Sequence, residues 1–247
     1  MKTPFELEVE QRVAANGRNE ELQGIARSFM RASTLPKYCY NFSWLGRPIM
    51  HYPQDVLAMQ ELIWRVQPDL IVETGIAHGG SLIFYASMLE LNAACGGPPE
   101  ATVLGVDIDI RAHNDAAIRS HPMWKRIAMI QASSIAPETI AEVRARASVC
   151  QRILVCLDSN HTHDHVLAEL EGYAPLVSMG SYCVVFDTLV EDFPAEFYPD
   201  RPWGPGNNPR TAIREYLKTT RAFEVDREVG NKLLISVSPD GYLKRIG

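Results

Sequence analysis

The sequence predicts an α/β protein built on a doubly wound, mostly parallel sheet, and three observations carry that prediction. Five short apolar runs recur between residues 70 and 186, continuous rather than alternating, as in strands covered by helices on both faces. Helix-periodic segments separate the runs, so each strand crosses over to a parallel neighbour. The chain has 247 residues, 46% hydrophobic and 22% charged, enough to bury a sizeable core without cross-links.

The first fifty residues differ in character from the rest. Leu22, Ile25 and Phe29 fall at helical spacing and predict a helix over 19–31. Leu35 to Pro53 is aromatic and Pro-rich and reads as irregular. Val56, Met59, Ile63 and Val66 then form one apolar stripe of a second helix, which Gln67-Pro68 ends. Strands follow at Leu70–Val72, Val103–Val106, Ile127–Ile130, Ile153–Leu157 and Tyr182–Phe186, with helices predicted over 81–94, 112–120, 137–149 and 163–178. Residues 201–209 are a loop dense in Pro and Gly. Within it Asn208 is a good N-cap and Pro209 a good first position for a helix over 210–220. Phe223–Val225 and Lys232–Ser238 read as two last strands joined around Gly230-Asn231. The expected architecture is a Rossmann-like, doubly wound seven-stranded sheet with a C-terminal antiparallel hairpin. A helical and irregular extension over 1–52 precedes the main α/β domain over 53–247.

Lys and Arg number 24 against 30 Asp and Glu, a net charge of −6, so no basic surplus exists to neutralise the phosphates of a duplex and no nucleic-acid partner is expected. No apolar run reaches the length of a membrane span, and the opening residues are too charged for a signal peptide. Five cysteines without metal spacing imply a reduced, cytoplasmic setting. Cys156 and Cys183 lie in apolar runs, where a thiol packs as a small hydrophobe. The aromatic N-terminal stretch hints at a homo-oligomer.

The most informative segment is Leu70-Ile-Val-Glu73-Thr-Gly75-Ile-Ala-His78-Gly79-Gly80-Ser81, a buried strand that ends in an acid, turns through glycines and enters a helix. Gly75, Gly79 and Gly80 suit close approach of ligand to backbone, and Ser81 is placed to cap the helix. Ligands bind beyond the carboxyl ends of parallel strands, so this is a cofactor turn. It lacks the G-x-G-x-x-G of a dinucleotide site, Asp107 falls far beyond the usual spacing for its acidic partner, and no P-loop occurs. A carboxylate at Glu73 repels phosphate and better suits a cationic or zwitterionic ligand such as S-adenosylmethionine. Asp107 and Asp109 end the second strand, where an acid can accept from ribose hydroxyls. Ser133, after the third strand, is placed for the adenine edge.

The fourth strand ends in Asp158-Ser-Asn160-His161-Thr-His163-Asp164-His165. A metallo-hydrolase would need one more residue in this histidine spacing. An iron oxygenase could draw Asp158, His161 and His163 onto one metal face. In a third reading Asp158 binds a divalent ion while His161 is a general base. His163 and His165 also suit the plain start of a helix, with Asp164 in its first turn. Asp187, at the end of the fifth strand, projects into the same crevice as Asp158; the pair suits Mg2+, or caps loops, or shares a proton.

These segments together resemble the cephalosporin hydroxylase and rhamnosyl O-methyltransferase family of class I S-adenosylmethionine-dependent methyltransferases. The resemblance rests on Trp44-Leu-Gly-Arg47, Pro53-Gln-Asp55, Pro68-Asp-Leu-Ile-Val-Glu-Thr-Gly75, His78-Gly-Gly-Ser81, Val106-Asp-Ile-Asp-Ile110, Leu157-Asp-Ser159, His161-Thr162, Gly180-Ser-Tyr182 and Gly241-Tyr-Leu-Lys-Arg-Ile246. It implies a cofactor site around Glu73, Gly75, Asp107 and Ser133. More distantly the chain is similar to catechol O-methyltransferase, in which a metal-binding Asp and a base three residues later correspond to Asp158 and His161. The family carries Glu-Asp-Thr where this chain has Phe186-Asp187-Thr188, and Asp-Ser-Asp-His where it has Asp158-Ser-Asn160-His161. With Phe186 in place of that Glu, Mg2+ at Asp158 and Asp187 should be weak or absent, and the phenyl ring is free to stack on an aromatic acceptor or to exclude water. The expected activity is O-methylation of a small-molecule hydroxyl, with Phe197–Asn208, carrying Tyr198 and Trp203, either a lid over the acceptor or an irregular crossover packed on the core. A metal-dependent oxygenase and a non-catalytic cofactor-binding subunit are the alternatives.

Overall fold

The computed structural model describes residues 2–247. The chain opens with two helices, α1 (Pro4–Arg18) and α2 (Glu20–Thr34). The sequence pattern missed α1, although its start was legible: Thr3 and Glu6 form a capping box around Pro4. The stretch read as irregular contains a hairpin, β1 (Phe42–Trp44) and β2 (Arg47–Ile49), whose turn residues Leu45 and Gly46 have φ of 44° and 85°. A leucine in that conformation is uncommon, which hid the turn. Helix α3 (Pro53–Val66) then leads into the sheet.

The main sheet alternates with helices as expected: β3 (Leu70–Thr74), α4 (Gly80–Ala94), β4 (Thr102–Asp107), α5 (Ala112–Arg119), β5 (Ile127–Gln131), α6 (Pro137–Ala147), β6 (Ile153–Leu157), α7 (His163–Tyr173) and β7 (Tyr182–Val185). Helix α7 stops short of residue 178 because Pro175 tightens the chain into a 3-10 turn over Ala174–Leu176. Asn208 and Thr211 form the capping box of α8 (Pro209–Thr219), with Pro209 at its start.

The predicted C-terminal antiparallel pair forms, but its second strand is not the segment over 232–238. After β8 (Phe223–Val225), Asp226 caps a short helix, α9 (Arg227–Leu233), which takes in Gly230, Asn231 and Lys232. Residues Ser236–Ser238 follow without strand pairing, because buried Asp55 of α3 claims their polar groups. Its carboxylate accepts from Ser236 Oγ at 2.6 Å, the Val237 amide at 2.9 Å and the Tyr242 hydroxyl at 3.0 Å. The last strand is β9 (Tyr242–Arg245), antiparallel between β7 and β8.

The seven strands lie in the order β5-β4-β3-β6-β7-β9-β8. Each central strand sends alternate residues to opposite layers. Ile71, Val103, Leu154 and Val184 pack with α3, α4 and α5; Val72, Leu104, Val155 and Cys183 pack with α6, α7 and α8. Burial on both faces explains why these runs read as continuously apolar. The winding reverses between β3 and β6, the switch point beyond whose carboxyl ends sheets of this kind bind their ligands. No helix among the described residues is long and apolar enough to cross a membrane.

Candidate active site

The β3 turn is built around protein contacts rather than open space, which corrects one expectation. Gly75 has φ +88°, and a Cβ there would run into the Asp158 carbonyl at the end of β6. A Cβ at Gly79 would meet Ile118, and one at Gly80 would meet the Pro48 carbonyl of the hairpin. The glycines therefore let three other segments close on the turn. The hairpin is tied there a second time, by Arg47 Nε donating to the His78 carbonyl at 3.0 Å. Nor does Ser81 cap α4. Gly79 occupies the cap, and Ser81 Oγ instead donates to Glu73 Oε2 at 2.9 Å.

Glu73 is fully buried, and its Oε1 has no hydrogen-bond partner. Burial pushes its carboxyl up to about 8, against the Ser81 hydrogen bond and with a smaller push from Asp107. A buried carboxyl oxygen without a partner fits the cationic end of S-adenosylmethionine, whose positive charge favours the ionised form. Asp107 has a structural job besides any contact with ribose. Its Oδ2 accepts from the amides of Ile76 at 2.7 Å and Ala77 at 3.3 Å, and its Oδ1 from the Asp109 amide at 2.9 Å. A carboxylate has about four acceptor positions, so little more than one remains for a ribose hydroxyl. Ser133 is half-buried at the end of β5, and Asp109 is exposed with Arg111 at 3.9 Å.

Glu73 makes a testable contribution to stability. Its folded-state pKa lies above its ordinary value of 4.5, so the folded cofactor-free protein holds this proton longer than the unfolded chain does. That contribution is complete below about pH 4.5 and is lost as pH rises through about 8. Wild-type stability, followed by thermal unfolding, should fall across that window, on the order of 1.4 kcal/mol for each pH unit. Glu73→Gln should show a flatter profile; identical profiles would refute the assignment.

At the other end of the crevice, Asp158, His161 and Asp187 each present one donor atom within 4.8 Å of the others. His161 Nε2 lies 3.1 Å from Asp187 Oδ2, and the ring of Trp203 stands edge-on to the imidazole at 4.8 Å. Asp187 adopts φ 55°, a left-handed conformation that aspartate tolerates better than most residues. Burial, reinforced by Asp187, pushes Asp158 well above the usual carboxylate range. Trp203 sits on an anchored loop: Glu191 Oε2 accepts from the Gly206 amide at 2.8 Å and Asn208 Nδ2 at 2.5 Å, while Arg214 holds Oε1 at 3.0 Å.

His163 does not join this cluster. Its ring bonds Thr211 Oγ1 at 2.8 Å and its amide donates to Asn207 Oδ1 at 2.8 Å, so the oxygenase triad of Asp158, His161 and His163 is not assembled. His165 lies behind the site, its Nε2 3.0 Å from Ser134 Oγ and 3.2 Å from Ser159 Oγ. Phe186 is 1% exposed and packs on the ring of His51 at 4.6 Å, so it is not free to stack on an acceptor. His51, which no sequence feature singles out, places Nε2 3.9 Å from Asp158 Oδ2. No periodicity or motif marks an isolated histidine ahead of a helix.

The donor set is a poor match for Mg2+. That ion demands near-octahedral oxygen ligands, whereas here two carboxylates are joined by an imidazole nitrogen, and the Phe186 corner offers no donor.

Comparison with known proteins points to one family. The family model described as Rhamnosyl O-methyltransferase/CmcI matches residues 36–246. A rhamnosyl O-methyltransferase of Mycobacterium tuberculosis is 31% identical over 193 residues, covering 77% of this chain and 73% of the relative. Among solved structures, a CmcI protein with Mg and SAM superposes with a TM-score of 0.57 at 19% identity, over 84% of this chain and 78% of that one. CalS11, a TDP-rhamnose 3'-O-methyltransferase of calicheamicin biosynthesis, gives 0.54 at 18% identity over 100% and 96%. At these identities the two structures speak for the fold.

Proposed function

The chain belongs to the Rhamnosyl O-methyltransferase/CmcI family and is an S-adenosylmethionine-dependent O-methyltransferase; from that premise we propose that its acceptor is a sugar hydroxyl on a small molecule and that His161 is the base. The observation that carries the second half is the convergence of His161 with Asp158 and Asp187 beside the Glu73 turn. S-adenosylmethionine supplies a methyl group on a positively charged sulfur. Glu73, Gly75, His78, Gly79, Ser81, Asp107, Asp109 and Ser133 form the cofactor side of the crevice, with Asp158 between cofactor and acceptor. Transfer is an in-line displacement, so the protein's main contributions are alignment and exclusion of water.

A sugar hydroxyl is a weak nucleophile until its proton leaves. Asp187 Oδ2 lies 3.1 Å from His161 Nε2, near enough to orient the imidazole and to stabilise it once it has taken that proton. Asp158 and Asp187 favour an uncharged acceptor over an anionic one. Five free cysteines support a reducing, cytoplasmic setting. Exposed Phe5 and Ile25 on the N-terminal helices and Leu35 just after them support a homo-oligomer.

Purified protein should transfer label from methyl-labelled S-adenosylmethionine to p-nitrophenyl α-L-rhamnopyranoside. In calorimetry, Asp107→Ala should weaken cofactor binding at least about tenfold, since it removes both the turn's support and a ribose acceptor. Unchanged affinity would remove the cofactor assignment, and transfer only to phenols would remove the sugar.

A further inference from the structure

We propose that His51, brought in by the segment ahead of α3, is an acceptor-binding residue that holds the reacting hydroxyl oxygen jointly with Asp158. The proposal rests on the O-methyltransferase reading above and adds a residue to it from the extension over 1–52, ahead of the expected methyltransferase domain.

The first observation is an unmet need. The His51 side chain is 8% exposed, and its Nδ1 is buried with no hydrogen-bond partner. The nearest opposite charge to Nε2 is Asp158 Oδ2 at 3.9 Å. Neither ring nitrogen has a hydrogen-bond partner, and Nε2, the one facing Asp158, is not sealed off as Nδ1 is; polar groups this deep are nearly always satisfied, so Nε2 points to a partner that arrives from outside. The second observation is the length of that gap. At 3.9 Å nitrogen and carboxylate are too far apart for a direct bond. An oxygen lying beside both can sit about 2.8 Å from each, the normal hydrogen-bond distance.

The third observation is how firmly the imidazole is placed. Phe186 packs on its ring from β7 at 4.6 Å. The next residue, Tyr52, is 1% exposed and bonds Ser33 Oγ at 2.7 Å. Asp55, one turn further, is locked to the loop before β9. Thus the phenyl group at the corner where the family resemblance places a carboxylate acts as the wall that aims an imidazole at Asp158. Burial keeps this ring uncharged at neutral pH, its pKa lowered to about 4, so it offers one N–H and one lone pair. In the transfer, the new carbon–oxygen bond forms as the carbon–sulfur bond breaks, and the hydroxyl proton passes to His161. His51 exchanges no proton; it contributes one hydrogen bond that fixes the oxygen for in-line attack.

The test compares His51→Phe, which keeps ring volume, with His51→Gln, which keeps a polar end. With p-nitrophenyl α-L-rhamnopyranoside, His51→Phe should lower kcat by roughly 10- to 100-fold, and His51→Gln should recover most of that loss. Cofactor affinity by calorimetry should stay within about twofold in both, which a merely structural role would not allow. In nitrogen-15 histidine spectra of the S-adenosylhomocysteine complex, the His51 ring signals should move when the rhamnoside is added and also in Asp158→Asn. Wild-type kcat in His51→Phe, or loss of cofactor affinity along with kcat, would overturn the proposal. If wild type methylates no rhamnoside, the acceptor reading fails by itself. The ring signal then decides alone, and a His51 signal unmoved by Asp158→Asn overturns the proposal.

Discussion

Replacing His161 with alanine should reduce kcat by about 10²- to 10⁴-fold, the usual worth of a positioned general base, while cofactor affinity stays near wild type. The separation follows from position. His161 lies among Asp158, Asp187 and Trp203, whereas the cofactor side of the crevice is organised by Glu73, Ser81 and Asp107. The ring also packs against Trp203, so a small loss of stability is expected as well, within the range of ordinary side-chain truncations at about 1 kcal/mol. Single-turnover rates with saturating donor, together with calorimetry, separate the two effects. Turnover within threefold of wild type would sink the assignment of the base, and a parallel loss of cofactor binding would reassign His161 to the cofactor pocket.

Gly75→Ala should have the largest effect on the fold itself. Two penalties act together: a φ of +88° that L-residues rarely adopt, and a Cβ directed into the backbone carbonyl of Asp158. Neither β3 nor β6 can yield, since both are buried in the centre of the sheet and joined there by the Asp158 amide on the Thr74 carbonyl at 2.9 Å. A loss above about 4 kcal/mol is expected, which for a chain of this size lowers Tm by roughly 10 °C. Gly46→Ala is the matched control. Its φ is +85°, but open space surrounds it, so only the conformational cost of about 1 kcal/mol should appear. Equal effects at the two positions would show that backbone strain, rather than the clash, governs Gly75.

The central sheet was legible because burial on both faces writes itself as unbroken apolar runs, and because Asn208-Pro209 is a local cap signal that tertiary structure did not override. The convergence of Asp158, His161 and Asp187 was legible in part, since adjacent parallel strands deliver the residues that follow them to one crevice. The last strand was not. Lys232-Leu-Leu-Ile-Ser-Val-Ser238 has the composition of a strand, yet a cap at Asp226 folds its beginning into α9 and buried Asp55 takes up its end. The pairing instead falls to Tyr242–Arg245, a segment half made of basic residues. His51 and Ser81 share another limit. Their partners, Asp158 and Glu73, are set by how layers stack, and no spacing along the chain encodes that.

The placement of β9 bears on how the protein is made. Synthesis runs from the N-terminus, and residues 242–245 emerge after all six other strands of the sheet. Until they do, β7 exposes an unpaired edge and β8 has no neighbour to bond. A nascent chain stalled at residue 240 would hold the donor turn and both acidic strand ends, yet leave a gap inside the sheet rather than at its margin. Ribosome-bound intermediates of this protein should therefore be unusually open to chaperones and to pairing with foreign strands, and closure should come as one late insertion.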